Sequence, residues 1–110
     1  MGGFYLNEFR KSPRWEVVTI CELNESRHDE IRAGVPGVKV VTNDDEIFND
    51  PSIDAVVLSA LADTRLSRIR KAVASGKHII AEKPIADTPE NEWEAVRLAE
   101  SAPVISTVNL

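Results

Sequence analysis

Short apolar runs rich in β-branched residues recur along this chain, and each run is continuous rather than alternating between apolar and polar positions. Strands that are covered on both faces give this pattern, which is typical of parallel sheets. Strands are therefore predicted in the runs WEVVTIC (15–21), VKVV (38–41), DAVVLSA (54–60), HIIAE (78–82) and PVISTV (103–108).

Helical patterns lie between these runs. Gly76 suits a left-handed C-cap, and Thr88 followed by Pro89 suits an N-cap and a first helical turn. Helices are predicted around residues 4–9, from the Asn24 cap to Ile31, over 44–48, over 66–73 and over 89–99. Because strands and helices alternate over short connections, the predicted fold class is α/β, with a doubly wound, Rossmann-like parallel sheet.

Length and composition narrow the function classes. The chain has 110 residues and a formal charge of −5, which allows one domain and gives no basic surplus for nucleic-acid binding. A membrane span needs roughly 18 consecutive apolar residues, and the sequence has no such stretch and no signal-peptide pattern. Cys21 is the only cysteine, so no intramolecular disulfide can form and we expect a reducing, cytoplasmic location.

An acidic residue lies at the distance from an N-terminal glycine that dinucleotide-binding βαβ units use. Gly2 and Gly3 precede the first predicted helix, and Glu22 closes the following strand, 20 positions after Gly2. In such units a glycine-rich turn approaches the diphosphate, and an acidic residue about 20 positions on holds the ribose. The spacing makes Gly2 a candidate for the third glycine of that fingerprint. The spacing alone leaves a second interpretation open, in which Glu22 only stabilises the next helix N-terminus.

Lys83 directly follows the predicted strand HIIAE and is itself followed by Pro84. Ligands bind doubly wound sheets in the crevice outside the carboxyl ends of the strands, so Lys83 can reach a bound ligand from there. The alternative is a solvated strand end. His28 and His78 have no further ligand at metal-site spacing, so both are interpreted as structural or solvated and no metal site is predicted.

Several segments together resemble a known family. RWEVVTICELNESR, TNDDEIFNDPSIDAVVLSALADTRL, ASGKHIIAEKPIADT and VISTVN follow one another as in the N-terminal domain of the Gfo/Idh/MocA family, named after glucose-fructose oxidoreductase, inositol dehydrogenase and rhizopine catabolism. AEKP after GKH is the most diagnostic piece. The resemblance implies that residues 1–110 are a partial dinucleotide-binding domain that lacks its first, central strand and the C-terminal substrate domain.

The resemblance also implies roles for individual residues. Glu22 matches the acidic residue that binds the ribose hydroxyls in NAD-preferring members, so NAD is expected rather than NADP, although Arg27 nearby can soften the preference. Glu82 and Lys83 match the signature pair of the family, with Lys83 as the catalytic residue near nicotinamide and substrate.

Other cofactor contacts depart from the family pattern. Ser59, Ala60 and Leu61 fall where the family has a threonine-proline turn beside the diphosphate, and Arg65 falls where a histidine is common. Asn109 matches an asparagine that follows the sixth strand.

The implied function is hydride transfer between a nicotinamide cofactor and a sugar, cyclitol or related secondary alcohol, with the 110-residue chain alone expected to be inactive. Two alternatives remain: a non-catalytic nucleotide-binding or regulatory module, and a structural fragment completed by another chain. Expected partners are a small-molecule substrate and further copies of the protein, without nucleic acid or membrane. Because the missing strand lies at the centre of the 3-2-1-4-5-6 order, the chain alone is expected to expose open sheet edges.

Overall fold

The computed structural model describes residues 11–109, without the side chain of Asn109. The chain divides into two compact units, one ending at Asp50 and the other beginning at Pro51. Their described parts are called the first unit, residues 11–50, and the second unit, residues 51–109. The helix predicted around residues 4–9, and with it Gly2 and Gly3, lies outside the described residues.

The first unit contains two parallel strands, each followed by a helix. Its elements are β1 (Thr19–Cys21), a 3-10 turn (Glu25–Arg27), α1 (His28–Gly34), β2 (Lys39–Val41) and α2 (Asp45–Phe48). The two strands pair in the register Thr19 to Lys39 through Cys21 to Val41. Apolar side chains form a small core in this unit: Val35, Val38, Val41 and Phe48.

The second unit is a three-stranded parallel sheet with two longer helices. Its elements are β3 (Ala55–Leu58), a 3-10 turn (Ala62–Thr64), α3 (Arg65–Ala74), β4 (His78–Glu82), α4 (Pro89–Ser101) and β5 (Ser106–Asn109). The strand order is β3-β4-β5. Its apolar core comprises Val56, Leu58, Leu66, Ile69, Ala72, Ile79, Ala81, Ala86 and Ala95.

The predicted helix boundaries are confirmed where a capping residue marks them. The Asn24 side chain accepts a hydrogen bond from the Ser26 amide at 3.1 Å, and the Thr88 hydroxyl accepts one from the Asn91 amide at 3.1 Å. Gly76 has a φ of 71°, the left-handed conformation expected of a residue just beyond a helix. Local side chains that satisfy free backbone groups therefore determine where these helices start and stop.

Four of the predicted strands differ in length from the apolar runs, whereas β4 has the predicted bounds. Only the last three residues of the first run are in β1, where they pair one to one with the three residues of β2. Trp15 and Val18 are 49% and 39% exposed, so the apolar run extends beyond the part that is buried. Asn109 pairs with Glu82 as the last residue of β5 and does not follow the strand as the resemblance implied.

The alternation of helices with parallel strands confirms the predicted α/β, Rossmann-like fold class. Within each unit the neighbours are those of the 3-2-1-4-5-6 order, with β1 and β2 as its second and third strands and β3 to β5 as its fourth to sixth. Among the helices of residues 11–109, none combines the length and the apolar character that crossing a bilayer demands.

Candidate cofactor and catalytic site

Glu22 follows β1 directly, and its backbone is held on both sides. Its amide donates to the Val41 carbonyl at 2.9 Å, which continues the pairing of β1 with β2. Its carbonyl lies 2.8 Å from the His28 Nε2. Because a carbonyl oxygen can only accept, Nε2 carries the proton and His28 donates this bond. The buried His28 thus has the structural role predicted for it.

The Glu22 carboxylate faces a cation in the same unit. Its Oε1 lies 2.9 Å from Arg27 Nη1, and the two side chains are 23% and 59% exposed, respectively. An exposed pair of this kind contributes little to stability, typically about 0–1 kcal/mol, so the arginine can exchange partners at low cost. The carboxyl end of β1 therefore presents one negative and one positive group to any ligand that binds there.

The segment of residues 59–61, called the Ser59 segment, follows the carboxyl end of β3. Ser59 is partly buried, whereas Ala60 is exposed and Leu61 is 77% exposed. The Leu61 carbonyl accepts hydrogen bonds from the Thr64 amide at 3.1 Å and from the Thr64 hydroxyl at 2.9 Å. These bonds form the short turn that leads into α3.

The segment of residues 82–84, called the Lys83 segment, lies at the carboxyl end of β4. Glu82 is the last residue of the strand and is 6% exposed, while the Lys83 side chain is exposed. The Lys83 amide is 3.3 Å from the Glu82 Oε1, and the peptide bond between Lys83 and Pro84 is cis. The exposed ammonium group therefore stands beyond the end of a strand whose last side chain is buried.

A buried arginine brings these two segments together. Arg65, the first residue of α3, donates from Nη1 to the carbonyls of Glu82 and Pro84 and from Nη2 to the carbonyl of Ala60. From the sequence, Arg65 was noted only because the family that the chain resembles commonly has a histidine at this position. Its helical spacing with Ile69 and Ala72 could have revealed it, because a charged residue on a buried helix face needs partners.

The predicted site residues are thus distributed over three parts of the chain. Ser59, Ala60, Leu61, Glu82 and Lys83 lie at neighbouring strand ends of the second unit. Glu22 belongs to the first unit, and Gly2 and Gly3 lie outside the described residues.

His78 Nδ1 accepts a hydrogen bond from the Ile105 amide at 2.9 Å. No cluster of three or more potential metal ligands occurs within residues 11–109.

Comparison with known proteins gives a match over the whole chain. The profile of the Gfo/Idh/MocA oxidoreductase family, NAD-binding Rossmann fold, matches residues 1–110. D-xylose dehydrogenase of Paenarthrobacter nicotinovorans is 32% identical over 107 residues, which cover 97% of this chain and 27% of that protein. Inositol 2-dehydrogenase of Mycolicibacterium smegmatis is 33% identical over 82 residues, which cover 74% of this chain and 24% of that protein.

A solved structure shows the same fold. Biliverdin reductase from Synechocystis, determined with biliverdin and NADP+, superimposes with a TM-score of 0.86 at 23% identity, covering 94% of this chain and 32% of that one. The present chain spans about a quarter of the length of the curated relatives that it matches.

Proposed function

Because the chain belongs to the Gfo/Idh/MocA oxidoreductase family, as a domain with the NAD-binding Rossmann fold, we propose that it is the cofactor-binding part of a dehydrogenase or reductase. The proposed reaction moves a hydride between a nicotinamide cofactor and a sugar, cyclitol or related secondary alcohol. Curated relatives that act on xylose and inositol support this substrate class. The remainder of the substrate site is proposed to lie in a second domain that follows residues 1–110.

The observation that carries the proposal is the position of Lys83. Its exposed side chain follows the carboxyl end of β4, and the Ser59 segment follows the carboxyl end of the neighbouring parallel strand β3. In doubly wound sheets this edge is where ligands bind. A cationic donor at that edge suits the oxygen of a substrate that gives up or receives a hydride at carbon.

The proposed role of Lys83 is to hold the substrate oxygen. Its ammonium group donates a hydrogen bond to the hydroxyl oxygen and stabilises the negative charge that develops there as the hydride leaves carbon and the hydroxyl proton passes to a base proposed to lie in the second domain. A bound nicotinamide ring supplies the hydride acceptor for this chemistry. Glu82, buried at the strand end, is proposed to support the backbone that carries the lysine, close to the cofactor.

Three further parts of the chain are proposed to contact the cofactor. Glu22 is proposed to accept hydrogen bonds from the ribose hydroxyls of NAD, since its carboxylate is partly exposed at the end of β1. The Ser59 segment, Ser59 to Leu61, is proposed to lie beside the diphosphate. Gly2 and Gly3 are proposed to give the backbone a close approach to the phosphates. The negative charge of Glu22 favours NAD over NADP.

The proposal also covers the oligomeric state and the cellular location of the enzyme. Further copies of the protein are the proposed partners, in a homo-oligomer. A cytoplasmic location is proposed because the lone Cys21 suits a reducing compartment.

The test is a substitution of the proposed catalytic lysine in the full-length protein that contains this chain. Lys83→Met should lower kcat by about 100-fold or more, because an oriented acid or base usually contributes 10² to 10⁴. The dissociation constant for NAD should stay within a few-fold. Steady-state kinetics with xylose and inositol, together with NAD titration, measure both quantities.

Lys39→Met is the matched control. Lys39 is another exposed lysine and is the first residue of β2, and its Nζ lies 3.6 Å from the Oε1 of Glu46. Its replacement should leave kcat unchanged. Unchanged turnover in Lys83→Met would return that residue to the solvated-strand-end interpretation. A wild-type protein that binds NAD but turns over no secondary alcohol would instead favour the non-catalytic nucleotide-binding module.

A further inference from the structure

Arg65 is a charged residue in a place where charge is costly. Its side chain is 4% exposed, although it begins a helix on which Arg70 is exposed to solvent. A guanidinium group stays protonated at any physiological pH, so it cannot lower the cost of burial by losing its charge. Buried charges persist in proteins when they are hydrogen-bonded by several partners.

The partners of Arg65 come from both strand ends of the candidate site. Nη2 donates to the carbonyl of Ala60 in the Ser59 segment, and Nη1 donates to the carbonyls of Glu82 and Pro84 in the Lys83 segment. The last two acceptors are the residues immediately before and after Lys83. The guanidinium group therefore binds the backbone on both sides of the lysine and links the Lys83 segment to the turn after β3.

The geometry of the guanidinium group suits this task. Its planar fork presents donors in fixed directions, so one side chain can serve acceptors from two segments at once. A neutral histidine has one ring donor, and a lysine offers its donors from a single nitrogen. Hydrogen bonds from a charged donor are also roughly twice as strong as neutral ones.

We propose that Arg65 is a positioning residue, which fixes the Lys83 segment relative to the Ser59 segment and thereby aims Lys83 at the bound ligand. The observed hydrogen bonds are sufficient to support the link between the two segments, whatever the function of the protein. Its consequence for turnover rests on the proposed function, in which Lys83 holds the substrate oxygen. A misplacement of about 1 Å can cost on the order of 100-fold in rate, so loss of the link should reduce kcat more than cofactor affinity.

The first arm of the test measures the link without any reaction. In the full-length protein, Arg65→Ala should accelerate hydrogen exchange of the amides at residues 59–62, 83 and 85–87 by about 10-fold or more, the effect of losing one strong hydrogen bond. Exchange in β1 and β2 should stay as in the wild type. The control is Arg70→Ala, because Arg70 lies on the same helix, is exposed and pairs with Glu94 of α4, so that its loss should leave both segments unchanged.

The second arm measures turnover. Arg65→Ala should lower kcat by about 10- to 100-fold with the NAD dissociation constant within a few-fold of the wild type. Millimolar guanidinium chloride should restore part of the lost kcat in Arg65→Ala and none in Lys83→Met, because only the former has space for the ion. A merely structural role would not produce this selective rescue.

The outcomes separate the two proposals. Wild-type exchange rates at residues 59–62, 83 and 85–87 in Arg65→Ala would overturn the positioning role. Uniformly faster exchange in all strands, with no rescue, would also overturn it. A wild type that lacks dehydrogenase activity would defeat the proposed function, yet the exchange arm would still decide on the link. If Arg65→Ala does not fold, Arg65→Lys takes its place, with faster exchange in the same two segments as the supporting result and wild-type exchange as the opposing one.

Discussion

Glu22 has a fixed backbone and an exchangeable side-chain partner, and this combination leads to a prediction about the cofactor. Its carboxylate pairs with Arg27 at 2.9 Å. In the proposed cofactor site, Glu22→Ala should take away the repulsion of the NADP ribose phosphate and release Arg27 to bind it. The ratio of kcat/KM for NADP to that for NAD should rise by about 10-fold or more, since juxtaposed like charges cost several kcal/mol.

Arg27→Met supplies the matched comparison. Added to Glu22→Ala, it should reverse part of the gain for NADP, because the freed cation is then missing while the repulsion by the carboxylate stays removed. Kinetics with both cofactors in the full-length protein measure the ratios. If the ratio in Glu22→Ala equals that of the wild type, Glu22 is not the ribose ligand.

The end of α3 shows how one residue determines the boundary of an element. The amides of Gly76 and Lys77 donate to the carbonyls of Val73 and Ala72 at 3.1 and 2.9 Å, which is a Schellman motif with Gly76 in the left-handed conformation. The strand β4 begins directly after Lys77, at His78. Gly76 thus connects the helix that begins at Arg65 with the strand that ends beside Lys83.

Gly76→Ala should lower the free energy of unfolding by about 1–2 kcal/mol, because a Cβ atom disfavours the left-handed conformation. The cost is conformational, since an added Cβ meets no atom within 4 Å. Gly34→Ala is the control: that glycine ends α1 in helical conformation with equally open surroundings, so alanine there should be neutral or stabilise by up to about 1 kcal/mol. Chemical denaturation of the full-length variants checks the pair, and equal effects at the two positions would contradict the argument.

At the scale of the whole molecule, residues 11–109 contain two sheets whose outer strands have unpaired edges within that range. Within residues 11–109, β1 pairs with β2 only and β3 pairs with β4 only. Strand edges of this kind are templates for pairing with another chain. The 110-residue polypeptide, produced alone, should therefore self-associate or stay poorly folded, and it should bind NAD weakly.

Light scattering and calorimetry on the purified polypeptide measure both properties. A monomer that melts cooperatively and binds NAD at micromolar concentration would contradict this expectation. A concentration-dependent increase in mass would support it and would favour completion of the sheet by another chain under these conditions.

Local chemistry was sufficient to predict the order of strands and helices within residues 11–109, although not the bounds of most strands. Continuous β-branched runs marked the parallel strands, and Asn24, Gly76 and Thr88 marked helix ends, because caps and turns satisfy backbone groups within a few residues. The place of Lys83 after HIIAE was also readable, since a strand ends where burial ends. The motifs around it were specific enough to indicate the family.

Contacts between distant residues depended on the tertiary structure. The length of β1 depends on its pairing with β2 as well as on its apolar run, and only three residues of the run pair. Arg65 reaches Glu82 and Pro84, which are 17 and 19 positions away, and no local spacing predicts which carbonyls a buried guanidinium will find. Its third acceptor, the Ala60 carbonyl, converges with these two only when β3 and β4 lie side by side, because a parallel pair brings the carboxyl ends of both strands to one edge.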